Sequence, residues 1–240
     1  MSSRTKTVKK SSTLSSTSGA TVSVSSRLRE QQVFLFLLVI SFVLWVIYRF
    51  LFQFPVWFDE GVGKALFFGV PLWLYIVTTG DDSAVSTVRL AKFKPGLLMG
   101  LAIGGVFGFS TILLKLFTTG QMLQSAPVFM AEYFWWEFFL ALLTSVWETL
   151  FFFSWIQNAL DRHHPGWSGI KVALVTAVLF LVFHLPNTWL RFQGGDVSWQ
   201  LGLLFLFALG QALVFFRRKN AYALILSQAI WGMVLLIHFT

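Results

Sequence analysis

Ionisable side chains are scarce in the apolar stretches of this chain, and two of them could do chemistry together. Glu148 and His184 each lie deep within a long apolar run. Ionisable groups inside a membrane span are costly, so they usually face a cavity or a partner. A glutamate and a histidine around one water can act as a hydrolytic pair. The alternative is a hydrogen-bonded pair that only fixes helix packing.

The residues that follow His184 favour chemistry over packing. Pro186 removes a backbone donor and frees the carbonyl of Val182, which opens the helix beside the histidine. Unpaired backbone is tolerated in a membrane only where protein buries it or water reaches it. Asn187 lies three residues after His184, near the same helix face. We therefore expect Asn187 to support the site.

A third apolar run carries Gln228, and counting residues from the predicted cytoplasmic ends of the runs brings it level with the pair. At 1.5 Å per residue, Glu148 lies about 15 Å deep, His184 about 21 Å and Gln228 about 12 Å. We expect all three between the inner interface and the midplane. A Glu–His pair without a third strong ligand does not make a zinc site, so we predict no metal and no other cofactor.

The elements that hold these residues are predicted from composition. Of the 240 residues 56% are hydrophobic and 12% charged, and the mean hydropathy is +0.73. A soluble domain is nearer a quarter charged. We predict an all-α, polytopic transmembrane helix bundle in contact with the lipid bilayer. A span needs about 20 apolar residues, and seven runs qualify: 33–53, 62–79, 95–117, 131–157, 170–190, 199–216 and 221–239.

The third run has glycines at small-xxx-small spacing, which favours close packing between membrane helices. They are Gly100, Gly104, Gly105 and Gly108. We assign them no chemical role.

The N-terminal segment 1–30 has a different composition from the rest of the chain. It carries six basic residues against the single acid Glu30, and most of the remainder is Ser and Thr. Such a segment buries too little apolar area to fold, so we predict a disordered tail before a transmembrane domain over 31–240. A basic tail before a span is more typical of a topology signal and anionic-lipid contact than of nucleic-acid binding. We predict no nucleic-acid partner.

Charge in the connections predicts the orientation. Basic residues lie in 80–94, 158–169 and 217–220, on the same side as the tail, whereas the opposite connections hold only Lys64 and Arg191. Cytoplasmic loops carry such an excess. We predict a multi-pass protein of the cell membrane with its N-terminus in the cytoplasm and its C-terminus outside.

Three short patterns resemble a protease family. Residues 147–157 read W-E-T-L-F-F-F-S-W-I-Q. They are similar to the first motif of the CAAX-protease and bacteriocin-processing (CPBP, or Abi) intramembrane proteases, E-E-x-x-x-R with a Gln further on, and Glu148 matches the first Glu. Residues 180–184 fit the second motif, F-x-x-x-H, and continue as H-L-P-N. Residues 215–232 resemble the last motif region. The resemblance covers about 130–235, which we treat as a protease-like core.

This resemblance implies roles for the two central residues. In the family the first Glu and the second-motif His activate water for peptide hydrolysis. It therefore implies Glu148 as general base and His184 as its partner, which helps to stabilise the oxyanion. The expected partner is a membrane protein or peptide substrate.

The chain departs from the family pattern at four positions. Thr149 replaces the second Glu, Phe153 the Arg, Gln228 the last His and Gly232 the Asn. Gln228 can still donate a hydrogen bond to a developing oxyanion, but it cannot shuttle protons. We take Thr149, Asn187 and Gln228 as candidate supporting residues.

Three functions are consistent with these observations. The first is an intramembrane endopeptidase that acts on a membrane-embedded or lipidated peptide. The second is a catalytically degenerate scaffold or immunity-type binding protein of the same fold. The third is a small transporter or channel component, although the chain lacks paired broken helices in two matching halves.

Protease geometry requires the Glu148 carboxylate and the His184 imidazole to lie within about one water of each other, facing a cavity. The sequence names neither a substrate nor an oligomeric state, and no prenyl-recognition element is identifiable.

Overall fold

Seven long helices dominate the computed structural model, which describes residues 16–120, 133–191 and 195–239. In chain order they are α1 (Ser16–Leu51), α2 (Val56–Thr79), α3 (Phe93–Thr119), α4 (Phe134–His163), α5 (Gly169–Arg191), α6 (Gly195–Arg218) and α7 (Ala221–Phe239). Two short 3₁₀ turns, Val85–Val88 and Leu90–Lys92, connect α2 to α3. The described parts of the chain contain no β-strand.

Length and hydropathy make this a multi-pass membrane protein. Within the described ranges six helices, α1 to α6, are long and apolar enough to cross a bilayer. The last helix, α7, meets the hydropathy requirement over a shorter stretch, Ala221–Val234. The predicted all-α, polytopic bundle is confirmed, and each of the seven predicted runs coincides with one helix.

The ends of several helices differ from the predicted boundaries, those of α1, α2 and α4 by six residues or more. Helix α1 begins at Ser16, inside the predicted tail, and residues 1–15 of that tail lie outside the described ranges. Helix α4 continues to His163, beyond the predicted end at 157. The side chain of Arg162 explains this extension, because it donates hydrogen bonds to the Asp81 carboxylate and the Tyr75 hydroxyl. An ion pair lets a helix carry a charge past the end of its apolar run.

An aromatic layer fills the half of the bundle nearest the basic connections. Residues 151–160 of α4 are all buried. Phe151 stacks on Phe68 of α2 at 4.7 Å and meets Phe183 of α5 edge-on at 5.3 Å. Phe152 packs edge-to-face against Phe180 at 4.9 Å. Each such pair contributes about 0.5–1.5 kcal/mol beyond its buried area, so this layer joins α2, α4 and α5 firmly.

Helices α3 and α7 approach each other closely through glycine. A Cβ at Gly100 would lie 2.8 Å from both the Ala223 carbonyl oxygen and the Leu226 Cβ, and one at Gly104 would lie 3.0 Å from the Ser227 Cα. The predicted close packing is therefore found at Gly100 and Gly104. It brings α7 alongside α3 and fixes the position of the helix that carries Gln228.

Candidate active site

Glu148 lies at the centre of the bundle, with both carboxylate oxygens engaged. It is the fifteenth residue of the 30-residue helix α4, and only 3% of it is exposed. Its Oε1 accepts a hydrogen bond from Lys64 Nζ at 2.6 Å and lies 3.3 Å from His184 Nε2. Its Oε2 accepts a hydrogen bond from Gln228 Nε2. Helices α2, α4, α5 and α7 thus meet at one carboxylate.

The backbone changes form immediately after Glu148. A nine-residue π-helical stretch, Thr149–Gln157, follows it within α4. Such stretches are rare in helices and are frequent at functional sites. Every side chain of this stretch except Leu150 is buried. The wider turns place the aromatic layer directly beneath the carboxylate, on the side of the basic connections.

His184 is oriented by its own helix. Its Nδ1 lies 2.8 Å from the Phe180 carbonyl oxygen, which can only accept a hydrogen bond, so Nδ1 carries the proton. In the neutral imidazole, Nε2 then has a free lone pair and faces Glu148. The ring stacks on Phe180 at 4.1 Å between centroids, which limits its rotation. This arrangement gives the Glu–His pair a defined geometry.

Lys64 is a site residue that the sequence did not reveal. Its predicted place in an external connection is wrong, because α2 begins at Val56 and carries Lys64 into the bundle, where it is 4% exposed. Its ammonium pairs with both Glu60 and Glu148, and Thr144 Oγ1 donates a 2.6 Å hydrogen bond to Glu60. The i,i+4 spacing of Glu60 and Lys64 within an apolar run was the signal that could have revealed the pair.

A cavity of about 380 Å³ opens above the carboxylate. Glu148, His184, Asn187, Gln228 and Gly232 all line it. The side-chain oxygens Asn187 Oδ1 and Gln228 Oε1 are buried and make no hydrogen bond to the described part of the protein. The distance condition for protease geometry is therefore met: Glu148 and His184 lie 3.3 Å apart and face a cavity.

The predicted depth of the site differs from the observed one. Glu148 lies midway along α4, whereas it was expected in the inner half of the membrane. The difference arises because α4 extends six residues beyond its predicted inner end. His184 lies six residues from Leu190 at the far end of its span, or about 9 Å.

Two motif positions lie away from the cavity. Thr149 is fully buried, and its hydroxyl has no hydrogen-bond partner among the described residues. Phe153 is also fully buried, between Phe180 at 6.0 Å and Phe215 at 6.3 Å. An aromatic ring thus fills the position where the family pattern has an arginine. Around the carboxylate, Lys64 supplies a positive charge from a different helix.

No cluster of three or more His, Cys, Asp or Glu side chains suited to a metal ion occurs in residues 16–120, 133–191 and 195–239. The polar groups around the cavity are instead one histidine, one lysine, amides, carboxylates and the hydroxyls of Thr144, Ser145 and Thr188. This set can bind water and peptide groups through hydrogen bonds.

Fold and site together define a class, that of multi-pass membrane proteins with a buried glutamate–histidine pair facing a cavity. Residues 130–234 match the family model described as type II CAAX prenyl endopeptidase Rce1-like. This part of the chain is similar to that family, which confirms the resemblance inferred from the motifs. Neither the curated proteins nor the solved structures provide a match.

Proposed function

We propose that this protein is an intramembrane endopeptidase of the cell membrane that hydrolyses a membrane-associated peptide, with Glu148 as general base. The observation that supports this proposal most directly is the Glu148–His184 pair, whose side chains lie 3.3 Å apart at the base of a cavity of about 380 Å³. It lies within the residues that match an endopeptidase family. The cavity is of the size that proteins use for small ligands and short peptide segments.

In the proposed reaction a water binds between Glu148 and the scissile carbonyl. Glu148 removes a proton as the water oxygen forms a bond to the carbonyl carbon, and the π electrons move onto the carbonyl oxygen. Gln228 donates a hydrogen bond to that oxyanion, and His184 does so in its doubly protonated form, in which Nε2 also carries a proton. The intermediate collapses, the C–N bond breaks, and the proton held by Glu148 passes to the leaving nitrogen. The products are a carboxylic acid and an amine.

Lys64 acts in this proposal as a positioning residue. Two carboxylates buried side by side repel each other, and an ammonium between them offsets much of that cost. Lys64 contacts both Glu60 and Glu148, so it can stay paired with Glu60 while a water binds at Glu148. The family motif has an arginine near its glutamate, and Lys64 takes over that positive charge.

The remaining candidates support the reaction in different ways. Asn187 lines the cavity with its amide oxygen unbonded, which suits it to accept a hydrogen bond from a substrate backbone N–H. Gln228 holds Glu148 Oε2 and can turn its amide toward the oxyanion. Thr149 lies outside the cavity lining and stays a predicted supporting residue that acts through the packing around Glu148.

The test compares the membrane proteomes of cells that express wild type, Glu148→Gln or Asp161→Asn. Newly formed N-termini are identified by mass spectrometry, so no substrate needs to be known. Asp161 is the matched control, because it lies on the same helix and pairs with Lys219 in a partly exposed bridge. We expect Glu148→Gln to lower cleavage at least about a hundredfold, the usual contribution of a general base, and Asp161→Asn to cleave like wild type.

Two outcomes would contradict the proposal. Equal cleavage by wild type and Glu148→Gln would end the role of Glu148. New N-termini absent from all three, with normal protein levels, would point instead to a binding protein of the same fold.

A further inference from the structure

The cavity occupies only one half of the bundle. Its lining comes from the first turns of α2, the N-terminal halves of α4 and α6 and the C-terminal halves of α5 and α7. Because neighbouring spans run in opposite directions, all these segments lie at the same end of the bundle. The lining residues nearest the ends of their helices, including Val56, Glu137 and Gln200, form the mouth. Val56 is 54% exposed, so the mouth reaches the surface of the protein.

Within residues 16–120, 133–191 and 195–239, the other half of the bundle offers no comparable path to the site. The aromatic layer lies directly between Glu148 and the basic connections, and its members Phe68, Phe151, Phe152 and Trp155 are at most 1% exposed. Packed rings leave no passage for a peptide. Among the residues that the structure describes, the mouth is therefore the route by which a substrate can approach Glu148.

Charge identifies the face on which the mouth opens. The basic side chains in or beside the connections at the sealed end are Arg89, Lys92, Lys94, Arg162, Lys171, Arg217, Arg218 and Lys219. The mouth end has fewer basic residues, namely Arg49, Lys64, Lys115 and Arg191, and carboxylates pair with Arg49 and Lys64. An excess of basic residues marks the cytoplasmic side. The mouth accordingly opens on the non-cytoplasmic side.

Exposed tryptophans lie next in sequence to residues of the mouth. A tryptophan lies next in sequence to four mouth segments, and the five rings are 39–72% exposed: Trp57, Trp135, Trp136, Trp189 and Trp199. Tryptophan is enriched at the level of the lipid headgroups. The mouth therefore lies at the membrane–water interface, where a chain leaving the bilayer would pass.

We infer that the cavity takes its substrate from the non-cytoplasmic face, as an extended peptide segment adjoining a membrane anchor on that side. This inference rests on the proposed endopeptidase function for the identity of the occupant. The side from which the cavity is reached follows from the lining, the aromatic layer and the charges. A prenylated C-terminus held in the cytoplasm would meet the sealed end of the bundle.

The experiment labels single cysteines with a membrane-impermeant maleimide, which is direct because the chain contains no cysteine. The cavity probes are Ala141→Cys and Ser145→Cys, two conservative changes at lining positions. Exposed controls are Ser168→Cys at the sealed end and Gln53→Cys at the mouth end. Each variant is labelled in sealed right-side-out vesicles and in inverted vesicles.

We expect Ala141→Cys, Ser145→Cys and Gln53→Cys to label at least about tenfold faster in right-side-out vesicles, and Ser168→Cys to label only in inverted ones. Cavity probes that follow Ser168→Cys, or that label from neither face while both controls react, would overturn the inference. Ser168→Cys reacting from the outside would also overturn it. Labelling does not depend on proteolytic activity. The Glu148→Gln comparison therefore tests the proposed endopeptidase function, and the labelling tests the face from which the cavity is reached, so the two can fail separately.

Discussion

At the residue scale, the charge balance around Lys64 determines whether the site can exist. Glu60 and Glu148 come from different helices, and the same ammonium contacts both. Lys64 and Glu148 are each at least 95% buried, and removing one partner of a buried ion pair leaves an uncompensated charge. The three side chains are therefore interdependent.

Lys64→Met should destabilise the protein by about 3–5 kcal/mol, because the buried Glu148 and the partly buried Glu60 then face each other without a cation. The measurement is thermal unfolding in detergent. Lys171→Met is the control, since Lys171 is exposed and lies over Trp167 at 4.2 Å. That change should stay within about 0.5 kcal/mol. Adding Glu60→Gln to Lys64→Met should restore part of the loss, and equal melting of the two lysine variants would contradict the buried-pair account.

Phe153→Arg tests whether the missing motif arginine can simply be put back. The ring of Phe153 is fully buried against Phe180 and Phe215, so an arginine there would be buried without a carboxylate partner. We expect a strong loss of folded, monodisperse protein in size-exclusion chromatography. Phe153→Leu, which keeps the position apolar, should lose at most about 2 kcal/mol. If the arginine variant were as stable as the leucine variant, the site would hold a partner for that charge.

At the element scale, the contact of α3 with α7 fixes the helix that carries Gln228. Gly100→Ala would place a methyl group 2.8 Å from the Ala223 carbonyl oxygen, which should cost about 1–3 kcal/mol and displace α7. A methyl group at Gly105 on the same helix would meet nothing within 4 Å, so Gly105→Ala should be neutral or slightly stabilising. Thermal unfolding of the two variants measures the difference. Equal stabilities would show that the glycine face tolerates separation.

The sequence predicted elements better than it predicted their ends. Apolar runs of about 20 residues are a strong signal, so all seven helices were expected. Hydropathy cannot detect an ion pair, however. The hydropathy pattern therefore predicted that α4 ends before Arg162, whose charge is paired with Asp81. It also placed Lys64 in a connection, although Glu60 and Glu148 pair with Lys64 inside the bundle.

The predicted proximity of Glu148, His184 and Gln228 agrees with the structure, and Lys64 was missed, for the same physical reason. Glu148, His184 and Gln228 were grouped because a polar residue in an apolar helix needs a partner, and helices at similar depth can supply one. The same rule applied to Lys64 but was hidden by its place near the start of a run. The cavity was beyond prediction, because it depends on how side chains from five helices pack.

At the scale of the whole molecule, the bundle has two unlike halves. One half is closed by aromatic rings and ends in basic connections, and the other holds the cavity and ends in exposed tryptophans. Glu148 lies at the boundary between them. Among the described residues the cavity thus reaches Glu148 from one side, and the aromatic layer separates it from the other end of the bundle.

The number of membrane crossings bears on the face of the membrane at which the cavity end of the bundle lies. If α7 crosses the membrane as α1 to α6 do, the chain crosses an odd number of times and its two ends lie on opposite faces. An epitope inserted at Gly166, where the connection is exposed and open, should be reached by antibody only after right-side-out vesicles are permeabilised. An epitope added after residue 240 should be reached in the intact vesicles. Both epitopes on one face would mean that α7 does not cross, and Gln228 would then approach Glu148 from a helix that enters and leaves on the same side.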